Sequence, residues 1–74
     1  MYVKVKYRKD ELGGYGGREY TFLSEIPVQL YQKVLVESTD GEPKQAIVTE
    51  INVPETEIDP AWAWKIKKIK GYDK

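Results

Sequence analysis

From Tyr2 to Arg8 the chain reads YVKVKYR, in which apolar or aromatic side chains alternate with basic ones from Val3 onward. A period of two puts Val3, Val5 and Tyr7 on one face and Lys4, Lys6 and Arg8 on the other, the pattern of a strand with one face buried and one wet. A strand leaves a row of main-chain donors and acceptors that need partners, so one such segment commits a short chain to a sheet.

The rest of the 74-residue chain supplies the partners. Residues 9–17 mix charged residues with glycine, show no period, and read as a loop that ends in the run GGYGG. Arg18 to Leu23 is a second strand, with Tyr20 and Phe22 on one face and Thr21 and Leu23 on the other. Pro27 breaks it, lacking an N–H and forcing Ile26 to be extended. Val28 to Tyr31 is long enough only for a turn. Lys33 to Ser38 is a third strand with Val34 and Val36 inward, and Asp40-Gly41 is a turn signal. Gln45 to Val53 is the longest strand. Its apolar parity switches between Ala46/Val48 and Ile51/Val53, which predicts a bulge near Thr49 or Glu50. Asp59-Pro60 suits a helix start. Ala61 to Trp64 is read as one short helical turn, and Lys65 to Lys70 as the last strand.

The expected fold is therefore a single all-β domain over residues 1–74: a small five-stranded barrel or strongly bent antiparallel sheet, with one short helical turn before the last strand. Val3, Val5, Tyr20, Phe22, Val34, Val36, Val48, Ile51 and Ile69 are the expected core, with Tyr20 open to a second role in a pocket.

Composition narrows the chemistry. The chain has neither cysteine nor histidine, which excludes thiolate nucleophiles, disulfides and Cys/His zinc sites. It also lacks the usual proton carrier near neutral pH. A non-enzymatic protein without cofactor or metal is the expectation. No apolar run is long enough for a membrane-crossing helix, and the basic, alternating start is unlike a signal peptide, so the expected location is cytoplasmic. Twelve basic and 12 acidic residues cancel, but unevenly along the chain. Lys4, Lys6, Arg8 and Lys9 make the start basic, and Lys65, Lys67, Lys68, Lys70 and Lys74 the end. If those ends pair in space they form one basic face suited to phosphates.

Three features were candidates for a site. The glycine run lacks the Lys-Ser/Thr and the following helix of a phosphate loop, so it reads as slack before a strand, with Tyr15 exposed at its tip. Glu55, Glu57 and Asp59 have the spacing to share a face toward a hard cation, but read more simply as a solvated acidic loop. Trp62 and Trp64 flank Ala63. One is expected to seal the barrel end and the other to pack at its margin. Exposed beside Lys65, Lys67 and Lys68, they would instead resemble a single-strand-binding patch.

The succession YTF, IP, KVLV, a glycine turn, AIVTEI and WKIKKIKG resembles the N-terminal domain of the primosomal protein N′ family of replication-restart helicases. In that family a small β-domain binds the 3′ end of a DNA strand. An aromatic–Asp–aromatic motif precedes a proline, followed by a VxV strand, a glycine turn, a GxVV strand and an LK-containing segment. The resemblance spans Val3 to about Lys70. It implies that Tyr20, Thr21 and Phe22 form the pocket for the terminal nucleotide, that Gly41 falls near the turn glycine, and that Lys65 reaches the same pocket, with Lys67 beside it. Thr21 stands where the family has Asp, and its hydroxyl accepts a hydrogen bond without charge and with shorter reach. No helicase domain accompanies it in these residues. Small proteins of phages and mobile elements have a similar look. The expected function is thus a nucleic-acid-binding accessory module engaging single-stranded or 3′-end DNA through Lys65, Lys67, the basic first strand and an aromatic. The alternative is a protein–protein interaction module that takes a partner strand on an exposed edge.

Overall fold

A computed structural model of the chain describes residues 1–9 and 14–73. It is an all-β structure of five strands: β1 (Tyr2–Lys9), β2 (Gly14–Leu23), β3 (Lys33–Val36), β4 (Lys44–Val53) and β5 (Ile69–Tyr72). They form one antiparallel sheet in the order β2-β1-β4-β3-β5. The short helical turn is present as a 3₁₀ turn at Ala63–Lys65, and a second lies at Glu55–Glu57. Asp59 opens the approach to the first of these, its Oδ1 accepting from the Ala61 amide at 2.9 Å and its carbonyl from the Trp62 amide at 2.9 Å. Among the described residues no helix is long and apolar enough to cross a membrane.

The alternation of β1 sets the inside of the sheet. Val3, Val5, Val34, Val36 and Val48 are fully buried, joined by Ala46, Phe22, Val28 and Ile69, with Tyr7, Ile26 and Ile51 packed against them. Branched side chains fill a pleated surface well, which is why a core of this size is built mostly from valine. The parity switch in β4 is resolved as its sequence predicts. Lys4 pairs with Glu50 but Val5 with Val48, so Thr49 is an extra residue in the ladder. A second extra residue falls between Glu50 and Val53, where Asn52 adopts φ 52°. Together they bend β4, and Val53, paired with Tyr2, is buried apart from the main core cluster.

Two expectations about the first half are corrected. Gly14–Gly17 are not loop but part of β2: Gly14 pairs with Lys9 and Tyr15 with Arg8. Residues 16–18 then bulge opposite Tyr7, made possible by Gly17 at φ 84°. Tyr15 is accordingly half-buried within a strand rather than exposed at a tip; Gly13, also in the expected loop, lies outside the described residues. Nor do the two basic ends pair. β1 is an interior strand between β2 and β4, whereas β5 lies beside β3. The outward face of β1 meets polar groups of its neighbours. Lys4 stands 4.0 Å from Glu50 and Arg8 donates to Gln45 Oε1 at 2.7 Å. Lys6 pairs across the ladder with Glu19, which accepts from Thr49 Oγ1 at 2.6 Å.

The sheet bends until its two edges meet, but it does not close. The Leu23 amide donates to the Lys67 carbonyl at 2.9 Å, and Leu23 and Lys68 form a single parallel bridge. Among the described residues no ladder continues it. This half-made seam is what positions the site.

Candidate nucleic-acid interface

At the seam, parallel register places residues 20–22 alongside 65–67. The pairing does not extend to them: the bridge at Leu23 and Lys68 is isolated, and Ala63–Lys65 form a 3₁₀ turn rather than a strand. The opening left behind is a pocket of about 220 Å³ lined by Tyr7, Tyr20, Thr21, Phe22, Lys65 and Lys67.

Each wall has a distinct cause. Val3 pairs with Phe22 and Val5 with Tyr20 across the β1–β2 ladder, so both aromatics point to the inner face. Phe22, at 3% exposure, is core and forms the floor. Tyr20, one pair nearer the bulge, is 43% exposed and forms the rim. Tyr7 joins them edge-on, its ring 5.1 Å from Tyr20 and 6.3 Å from Phe22. Burial first, and then the neighbouring Tyr20 phenol, push the Tyr7 phenol above its ordinary value of 10.0, against a smaller opposing pull from Lys44.

Thr21 contributes differently. It pairs with Lys4, and strand alternation turns its side chain to the outer face, away from both rings. Its main chain faces the opening. The Ser24 amide donates to the Met1 carbonyl at 2.7 Å and the Met1 terminal ammonium to the Ser24 carbonyl at 2.9 Å, so every second residue from Ser24 backward along β2 turns its N–H and C=O to β1. Leu23 therefore points the other way, as its bond to Lys67 records, and Thr21 does the same one step beyond the seam. The pocket thus offers a main-chain donor and acceptor between two aromatic rings.

The opposite wall is cationic. Among the described residues, neither Lys65 nor Lys67 pairs with a carboxylate, whereas Lys68 is held by Glu25 at 3.2 Å. The Lys65 ammonium lies 4.3 Å from the ring centre of Trp62 and 5.0 Å from that of Trp64. Those indoles do not seal the barrel: both are exposed, by 57% and 77%. The expectation that one would be buried fails because the 3₁₀ turn that holds them buries none of its residues.

Of the six residues singled out in the sequence, Tyr20, Thr21, Phe22, Lys65 and Lys67 come together here. Gly41 is not in the lining. It sits in the β3–β4 turn at φ 82°, its amide donating to the Ser38 carbonyl at 3.2 Å. In that turn the Asp40 carboxyl accepts from Ser38 Oγ and from the Glu42 amide at 2.9 Å, with Lys44 at 3.2 Å. These bonds, the Ser38 bond foremost, lower it to about 2. Tyr7 is the lining residue that sequence reasoning passed over. Its parity with Val3 and Val5 was the available signal, but only the antiparallel pairing of β1 with β2 puts it beside Tyr20. Glu55 and Glu57 are exposed in their own turn, and among the described residues no cluster of three acidic side chains is arranged to hold a metal.

No family model, curated protein or solved structure matches this chain.

Proposed function

We propose that this domain is a non-enzymatic nucleic-acid-binding accessory module, of phage or mobile-element type, that seats the end of a single DNA strand between β2 and the Lys65–Lys67 segment. The observation that carries this reading is the pocket itself. Two rings, an outward main-chain N–H and C=O, and two ammonium groups without carboxylate partners among the described residues converge on one small opening. A base stacked on Tyr20 gains about 1–3 kcal/mol. The Thr21 main chain meets polar edges of the base or sugar, and Lys65 and Lys67 meet phosphate. At about 220 Å³ the opening is below the usual range of about 300–1,000 Å³ for drug-sized ligands, and suits one terminal nucleoside rather than a longer stretch. The primosomal protein N′ resemblance is met at this seam by Tyr20, Thr21, Phe22 and Lys65, but not by Gly41, which lies outside the pocket lining.

The first strand drops out of this reading, since its lysines and arginine face polar partners on the outer face. The test is fluorescence anisotropy of labelled single strands at low salt, with and without a blocked 3′ hydroxyl. Binding should weaken on blocking, and about tenfold or more for Tyr20→Ala, within the range expected for one lost stacking contact. No detectable binding to any single strand or junction would rule the reading out.

A second reading rests on the same edge. Before Leu23, the outward main chain of β2 has no neighbouring strand among the described residues and could take a partner's strand by β-augmentation. Size-exclusion and pull-down from the source cell test it, and a strict monomer without partners would count against it.

A further inference from the structure

Trp62 and Trp64 are the chain's only tryptophans, and neither is used by the pocket. Both are large apolar rings left in solvent, Trp64 within a three-residue turn that buries nothing and Trp62 at its N-cap. The Trp64 ring and the main chain of the turn are nevertheless tied down. Trp64 Nε1 donates to the Ala61 carbonyl at 3.0 Å, and the turn is closed by bonds from the Lys65 amide to Trp62 (2.9 Å) and from the Ile66 amide to Ala63 (3.2 Å). The Lys65 ammonium lies against both rings and also lines the pocket. From residue 60 to residue 72 the chain contains Lys65, Lys67, Lys68 and Lys70 and no acidic residue. Only Lys68 of these is neutralised by a carboxylate among the described residues.

Resting on the pocket's proposed use, we infer that Trp62 and Trp64 are a second stacking platform, continuous with the pocket through Lys65, that takes the bases following the terminal nucleotide of a single DNA strand. The occupant follows from charge and shape together. Flat, exposed rings set among lysines of which Lys65, Lys67 and Lys70 lack a carboxylate partner among the described residues match a chain that alternates planar apolar faces with phosphates. An apolar protein surface would match the rings but not the lysines. An acidic peptide would match the lysines but not the rings. Lys65 has a specific part in this scheme. Its hold on the indoles is weak, as exposed cation–π contacts are, so a phosphate arriving between pocket and platform draws the ammonium off the rings and frees their faces for bases.

The tryptophans report on this directly, because all indole fluorescence comes from the platform. Wild-type protein is titrated with an unlabelled thymidine octanucleotide, with the same backbone lacking bases, with poly-aspartate, and with thymidine monophosphate. The octanucleotide should quench and shift the indole emission. The monophosphate, which fills only the pocket, should bind at least about tenfold more weakly. The Trp62→Ala/Trp64→Ala double variant should bind labelled octanucleotide at least about fivefold more weakly. Trp62→Phe/Trp64→Phe should recover most of that loss, and circular dichroism should be unchanged in both. Three results would overturn the inference and leave the pocket reading standing. These are octanucleotide binding unaffected by the alanine variant, equal quenching by the abasic strand, or equal quenching by poly-aspartate. Absence of any binding to wild-type protein would overturn both.

Discussion

Tyr20 and Phe22 share a face of β2, stand two residues apart, and do different things. Phe22 lies against the buried valines at 3% exposure, and Tyr20 stands at the rim with 43% of its surface in solvent. Phe22→Ala therefore leaves a cavity and should cost about 3–5 kcal/mol in urea unfolding. Tyr20→Ala should cost well under half of that while removing the ring that a base would meet. Equal losses of stability from the two would mean that Tyr20 is core. Parity alone assigned both to the inner face, and so left Tyr20 open. How far the barrel opens at that point is decided by the 3₁₀ turn across the seam, more than 40 residues away in sequence. Tyr7 carries a pH consequence. Its phenol is raised above 10.0 in the fold, chiefly by burial. The contribution of its neutral form is thus fully present below 10.0 and is lost as pH rises through the raised value. In alkaline titration of phenolate absorbance, Tyr7 should ionise above 10.0. Tyr7→Phe should remove that step and flatten the fall of stability with pH.

At the scale of elements, local pattern was legible where it concerned one strand and illegible where it concerned two. The bulge at Thr49 could be read from the apolar parity of β4 alone. The second one, at φ 52° on Asn52, left no mark in the pattern, because Ile51 and Val53 already share parity. The glycine run misled for a related reason. Glycine in a strand interior is unfavourable, so GGYGG reads as loop. Its pairing with Lys9 and Arg8 is a property of β1 as much as of β2. Within the run, Gly17 is the position that needs glycine. A methyl there would meet Lys9 Cε at 3.5 Å, an ordinary contact, but φ of 84° is the left-handed region. Gly17→Ala should therefore cost about 1–2 kcal/mol. Gly71→Ala in β5, where φ is not left-handed and nothing lies within 4 Å, should be neutral or slightly stabilising. Thermal melts of the two variants separate backbone strain from loss of space. A neutral Gly17→Ala would mean that the bulge relaxes without it.

For the whole molecule, the order β2-β1-β4-β3-β5 determines which charges are available. Along the sequence the two ends look equivalent, each a cluster of lysine and arginine. Folding separates them. β1 becomes interior, and its basic face is met by Glu19, Gln45 and Glu50. The segment before β5 stays at an edge with Lys65 and Lys67 free of carboxylates among the described residues. A chain of zero net charge has little long-range pull on DNA, so any binding has to come from that local pair of cations and the rings beside it. The salt dependence follows. For single strands, log K falls with log[salt] by about 0.7 for each phosphate neutralised. Two contacts, from Lys65 and Lys67, give a slope of about −1.4, and Lys67→Ala should reduce it to about −0.7. Lys6→Ala, on the outer face beside Glu19, should leave the slope unchanged. A wild-type slope several times steeper, or one that responds to Lys6, would mean that DNA runs across the first strand after all. The seam pocket would then be incidental to binding.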